Sequence, residues 1–202
     1  MPRYRAPAAA AEGEHRDRGS RFRAFVVPVA GEEEARAALA DLARRFPDAT
    51  HHCWAWRLGD PPRARSSDAG EPAGTAGAPI LRALAAAGLS DVLAVVVRWF
   101  GGTKLGKGGL ARAYAAATRA ALAELQVVER VPTLELTVAV PYERLGAVQR
   151  LVHPPEVELR AADYGGTAHL RLAVHAERQE ALRAALAALG LAAEEAPGAR
   201  IR

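Results

Sequence analysis

The run Val92-Leu93-Ala94-Val95-Val96-Val97 has no polar position and no alternation. A strand with one wet face alternates polar and apolar residues, so a continuous apolar run of this length marks a strand covered on both sides. The run predicts a central strand over Asp91–Phe100 and a layered domain around it. The next segment is equally restrictive. Gly101–Gly109 carries five glycines, and a helix is expected from Leu110 to Leu125. Strand, glycine-rich loop and helix start are thus consecutive.

The rest of the first half supplies partners for that strand. Phe22–Val29 reads as a strand. Gly31 to Phe46 places Ala35, Leu39, Leu42 and Phe46 at helical steps, with three glutamates in the first turn where the helix dipole favours them. Thr50–Leu58 alternates as a second strand, with His52, Trp54, Trp56 and Leu58 on one face and His51, Cys53, Ala55 and Arg57 on the other. Gly59–Pro72 is rich in turn residues and predicts a loop, after which Thr75 can cap a helix running to about Ala87. Residues 1–19 are polar, charged and Ala-rich, and are expected to form a disordered leader.

Gln126–Pro132 reads as a linker. Beyond it the order is strand (Thr133–Val140), helix (Tyr142–Val152), strand (Val157–Tyr164), a Gly165-Gly166 turn, strand (Thr167–His175), helix (Glu177–Leu189) and a weak last strand. This β-α-β-β-α-β order predicts a four-stranded sheet with both helices on one face. The fold class is therefore α+β, with domains at 20–128 and 133–202. No apolar run is long enough to span a membrane, and the single cysteine, Cys53, fits a reducing compartment, so a cytoplasmic location is expected.

Charge is unevenly spread. Residues 131–202 carry 8 Arg and 9 acids, so residues 1–130 hold a net of +5 within the chain's +4. Val92 to Ala123 contains Arg98, Lys104, Lys107, Arg112 and Arg119 and no acid. Of 27 basic residues 25 are Arg, and the only lysines are Lys104 and Lys107, both in the glycine loop. Such a stretch attracts phosphate, although a solvated helix face would have the same composition.

Two segments can carry chemistry. In the first, Gly101, Gly102, Gly106, Gly108 and Gly109 let backbone N–H groups approach a ligand and lead into a helix start, where free amides favour anions. Lys104 and Lys107 add mobile charge there. No Gly-Lys-Ser/Thr closes the loop and no dinucleotide fingerprint is present, so nucleotide hydrolysis is not expected. A tight turn packing helix on strand is the other reading. In the second segment, Ser66–Gly77, Asp68 and Glu71 are either an acid–base or cation-binding pair or, with Ser67, the side chains of a turn clasped towards the lysine loop. His51-His52-Cys53 cannot converge on a metal, because neighbouring strand residues face opposite ways. The tryptophans read as core, since a base stack needs an exposed ring.

Across these segments the chain resembles the IMPACT family in its bacterial YigZ-type form. The resemblance rests on Ser20-Arg21-Phe22, His51-His52-Cys53-Trp54-Ala55-Trp56, Ser67-Asp68-Ala69-Gly70-Glu71-Pro72-Ala73-Gly74-Thr75-Ala76-Gly77, Val95 to Gly102, Leu105-Gly106, Gly108-Gly109-Leu110 and Ala113-Tyr114. Ala69 and Ala78 depart from the family pattern and weaken metal or phosphate coordination by the Ser66–Gly77 loop. The resemblance implies an N-terminal domain like the second half of a small-subunit ribosomal protein and ribonuclease PH, and a ferredoxin-like C-terminal domain. It also implies a link to translational control, in which eukaryotic relatives act by binding a large regulator of a stress kinase. The resemblance carries no catalytic residue.

The expected function is a translation- or stress-linked regulatory binding protein, with a hydrolase or transferase on a phosphorylated or peptide substrate as the alternative. The expected binding residues are Arg98, Gly101, Gly102, Lys104, Gly106, Lys107, Gly108, Gly109, Arg112, Asp68, Glu71 and Thr75. The expected partner is RNA, the ribosome or a regulatory protein, without DNA sequence specificity, membrane, metal or cofactor.

Overall fold

The central strand forms as its composition dictates, and its two faces seed two separate cores. In this computed structural model, which describes residues 3–195, β1 (Tyr4–Pro7), β2 (Ala11–Asp17), β3 (Ser20–Pro28), α1 (Glu32–Arg45), β4 (His51–Leu58), β5 (Arg63–Ser67), α2 (Gly77–Ala86), β6 (Val92–Trp99), α3 (Gly106–Ala123) and β7 (Val127–Arg130) form one compact unit. Strands β2, β3, β6, β4 and β5 make an antiparallel sheet in that order, with β6 in the middle. Val92, Ala94 and Val96 pack with Phe22, Ile80, Leu84, Tyr114 and Ala117 under α2 and α3. Leu93, Val95 and Val97 pack with Phe25, Leu42, Trp56 and Leu58 under α1.

Several elements differ from the sequence expectation, for one physical reason. The expected disordered leader contains β1 and β2, and the expected linker contains β7, which pairs with β1 from Tyr4↔Arg130 to Pro7↔Val127. The first two residues of that leader and residues 196–202 of the second domain lie outside the described residues. The chain start is held by contacts distant in sequence. The Tyr4 hydroxyl donates to Asp91 Oδ2 at 2.6 Å, and Ser90 N donates to Arg5 O at 2.8 Å. Asp91 also accepts from Gly59 N at 2.9 Å. At Gly13 the backbone of β2 lies so close to α3 that a Cβ would sit 2.2 Å from Ala121 N. The expected loop Gly59–Pro72 likewise contains β5, which pairs with β4 from Trp54↔Ser67 to Leu58↔Arg63. None of these strands carries an apolar run or a clear apolar alternation, and their pairing partners rather than their own hydrophobicity make them strands.

Helix α3 starts at Gly106, four residues before the expected Leu110. Thr75 does not cap α2. Its hydroxyl donates to Pro72 O at 2.6 Å, and the N-cap residue, Ala76, makes no side-chain cap bond.

The second unit, from Val131, contains β8 (Thr133–Val140), α4 (Tyr142–Gln149), β9 (Val157–Tyr164), β10 (Ala168–His175), α5 (Gln179–Ala188) and β11 (Ala193–Glu195). Its sheet is antiparallel with order β11-β8-β10-β9. Leu136, Val138, Val140, Val157, Leu170, Leu172 and Val174 line one face and bury Val148, Leu182 and Leu186 of the helices. The Gly165-Gly166 turn joins β9 to β10, with Ala168 opposite Tyr164. A one-residue bulge lies at Arg171/Leu172. Among the described residues no helix is long and apolar enough to cross a membrane.

Candidate anion-binding site

The alternation of β6 places Arg98 on the α2/α3 face, and just beyond the strand the chain passes so close to β3 that Gly101 cannot carry a side chain. A Cβ on Gly101 would sit 1.8 Å from the Gly19 carbonyl carbon. Gly101 N donates to Ser20 Oγ at 3.1 Å, and Phe100 N donates to Thr50 Oγ1 at 3.1 Å, so the start of the loop is pinned on both sides.

Arg98 is only 5 % exposed. Its Nη1 donates to Glu71 Oε1, its Nη2 reaches Ser20 Oγ at 3.4 Å, and its Nε is buried without a partner among the described residues. The guanidinium lies 5.4 Å from the Phe22 ring centroid and 5.6 Å from that of Phe100. Glu71 also accepts from the Tyr114 hydroxyl at 2.8 Å. Burial, Cys53 and Glu71 together push the Tyr114 phenol far above its ordinary value. Arg98 and Glu71 therefore neutralise each other inside the protein and are not free surface charges.

Asp68 is engaged by the backbone of its own loop. Its Oδ2 accepts from Gly74 N at 2.8 Å, and its Oδ1 accepts from Ala76 N at 2.9 Å and Gly77 N at 2.8 Å. It caps α2 from a distance, the role expected of Thr75. Burial alone would raise its carboxyl; the three amide donors outweigh that and hold it below the ordinary aspartate value. Cys53 Sγ lies 2.9 Å from Asp68 O and 3.3 Å from the Tyr114 hydroxyl. Burial pushes its thiol up to about 12, against a smaller lowering by Tyr114, which leaves no thiolate at neutral pH. Among the described residues no three His, Cys, Asp or Glu side chains gather as a metal site.

A cavity of about 440 Å³ opens between these segments, lined by Thr50, His51, Glu71, Pro72, Arg98, Phe100, Lys104, Leu105, Gly106, Lys107 and Leu110. It brings together five residues expected in the site: Arg98, Glu71, Lys104, Gly106 and Lys107. Asp68, Thr75, Gly101, Gly102, Gly108, Gly109 and Arg112 do not line it. Lys104 and Lys107 are exposed and make no ion pair among the described residues. The amides of the first turn of α3 lack intrahelical partners, and the helix has no side-chain cap and no acid there. With Arg98 and Glu71 cancelling, the cavity carries the surplus charge of the two lysines.

His51 and Phe100 were not among the expected site residues. His51 Nδ1 lies 2.9 Å from Ala69 O, and since a carbonyl only accepts, Nδ1 holds the proton. Its Nε2 is 3.9 Å from Glu71 Oε1. The one available signal was the register: alternation put His51 on the Cys53 face, and His51 pairs with Arg98 across β4 and β6.

The Impact N-terminal domain model matches residues 18–122, and a domain of unknown function, DUF1949, matches residues 138–190. The IMPACT family member YigZ of Escherichia coli K12 is 35% identical over 190 residues, covering 93% of each chain. The chain belongs to the IMPACT family. The protein IMPACT homolog of Saccharomyces cerevisiae is 39% identical over 97 residues, which are 45% of this chain and 36% of the yeast protein. A crystal structure described as that of a hypothetical protein superposes with a TM-score of 0.75 at 33% identity, covering 98% of each chain. Every residue that lines the cavity falls within the part matched by the Impact N-terminal domain model.

Proposed function

We propose that this IMPACT-family chain is a cytoplasmic, translation-linked regulatory binding protein whose N-terminal domain grips RNA phosphate. The observation that carries this reading is the cavity, where Lys104, Lys107 and the uncapped start of α3 converge on one wall. Free first-turn amides and two exposed ammonium groups favour a phosphate oxygen. Membership of the IMPACT family supports the translation-linked part of this reading, and the lysine-bearing cavity supports the phosphate part. The strand order β11-β8-β10-β9 supports a ferredoxin-like second domain, and family membership supports a ribosomal-protein-like or ribonuclease PH-like first domain.

The test is anisotropy of labelled single-stranded RNA, and of ribosomes in sedimentation, over a range of salt. Lys104→Gln with Lys107→Gln should weaken binding to every sequence and reduce the slope of log K against log salt by about 1.4, at ~0.7 per phosphate contact. An absence of binding at low salt overturns the RNA reading. Binding of a purified acidic protein through the same two lysines would put a protein partner in its place.

A hydrolase or transferase acting on a phosphorylated or peptide substrate is the second reading. It is favoured by His51, which lines the same cavity with its Nε2 beside Glu71. Turnover that disappears in His51→Gln, with RNA binding kept, would establish it. Unchanged turnover in that variant removes its base.

A further inference from the structure

The cavity has an apolar wall that phosphate binding does not use. Phe100 is 48% exposed although it borders a well-packed core, and it is one residue beyond β6 on the same face as Arg98. Its ring has the Arg98 guanidinium 5.6 Å from its centroid, which leaves the rest of the ring to solvent and the cavity. Its backbone is fixed by Thr50, and the next residue by Ser20 and the Gly19 contact. With the backbone fixed, only the side-chain torsions of Phe100 remain to be ordered when a flat group covers its half-exposed ring. No tryptophan lines this cavity: Trp56 is buried in the core under α1, Trp54 is half-buried against that core, and Trp99 lies on the face opposite Arg98 with its Nε1 bonded to Asp48.

Pro72, Leu105 and Leu110 extend the apolar wall, and Lys104 and Lys107 stand at the same cavity. The buried Nε of Arg98, which lacks a partner among the described residues, is a further polar atom on a lining residue. At about 440 Å³ the space falls within the roughly 300–1,000 Å³ of small-ligand sites.

We infer that the cavity takes one nucleotide unit, with its base stacked on Phe100 and its phosphate at Lys104, Lys107 and the first turn of α3. This rests on the proposed phosphate binding and adds the base. The same chemistry is offered by a free nucleoside monophosphate and by one unit of single-stranded RNA. Every base has a π-face, so the stack tolerates any sequence.

The experiment titrates the full chain with inorganic phosphate, adenosine, AMP and a short single-stranded oligoadenylate, using calorimetry or NMR shifts. AMP should bind more tightly than phosphate. Phe100→Leu should weaken AMP by roughly 5- to 150-fold, the range for loss of one aromatic stack, and leave phosphate affinity unchanged. Phe100→Tyr, which keeps a ring, should retain AMP binding and guards against a folding defect. Oligoadenylate displaced by AMP assigns the site to an RNA unit, whereas AMP binding without oligoadenylate binding assigns it to a free nucleotide. Equal affinity for phosphate and AMP, unmoved by Phe100→Leu, overturns the stack while leaving the phosphate reading intact. If neither phosphate nor RNA binds, both readings fall.

Discussion

Replacing Asp68 by Ala tests whether this carboxylate is a structural clasp or part of the site's chemistry. The substitution removes the acceptor of three amides. Gly74 is exposed and its N–H can turn to water, but Ala76 and Gly77 are buried. Each buried amide left without a partner costs about 1–3 kcal/mol, so the expected destabilisation is about 2–6 kcal/mol. All three tryptophans, Trp54, Trp56 and Trp99, lie in the first unit, so intrinsic fluorescence reports its unfolding separately from the second. With a urea m-value of about 1–3 kcal/mol/M, the midpoint should fall by roughly 0.7–6 M, about 2 M at the middle of both ranges. Hydrogen exchange at Ala76 and Gly77 should accelerate.

The pH dependence gives an independent sign. The Asp68 carboxyl is held below its ordinary value in the folded state. Its ionised form therefore stabilises the fold at pH above the unfolded aspartate value, and that contribution is lost as pH falls through the folded one. The gap between wild type and Asp68→Ala should be full at neutral pH and narrow in acid. An unchanged urea midpoint at pH 7, combined with loss of a ligand or an activity, would refute the clasp and return Asp68 to the site.

Cys53 should resist iodoacetamide at pH 8 in the native protein and react once urea unfolds the first unit, because burial keeps the thiol protonated; mass spectrometry reads this, and fast native labelling would contradict the burial argument. Gly101→Ala drives a methyl into the Gly19 backbone and should destabilise by about 3 kcal/mol, the upper end of the range for overpacking. Gly102→Ala meets no atom within 4 Å but has φ +85°, and should cost only about 1–2 kcal/mol. Equal denaturation midpoints for the two variants would show that the close approach at Gly101 is not limiting.

The elements legible in the sequence are those that carry their own signal. Val92–Val97 needs cover on both faces whatever its partners, and β8, β9 and β10 with α4 and α5 each show a clear period or turn. Strand β5, Arg63-Ala64-Arg65-Ser66-Ser67, has no such signal: four of its five residues are exposed, and β4 alone makes it a strand. The same holds for β1 and β7, which need each other. The site divides in the same way. The lysine loop stands out by composition. The convergence of His51, Glu71 and Phe100 depends on the pairing of β4 with β6 and on a loop folding back over them, and neither is local.

The buried Arg98–Glu71 pair explains why segments so far apart in the chain form one wall. Ser20 comes from β3, Glu71 from the Asp68 loop, Arg98 from β6 and Tyr114 from α3, and all meet at the guanidinium or the carboxylate. A buried ion pair adds little stability over a well-packed apolar one, but it fixes geometry, because each member is costly to leave unpaired. Here it holds the floor of the cavity and anchors the ring of Phe100. Since the pair is internally neutral, the proposed attraction of the cavity for anions rests on Lys104, Lys107 and the helix start. Lysine substitutions should therefore act on binding with little effect on folding, while changes at Arg98 or Glu71 act on folding first.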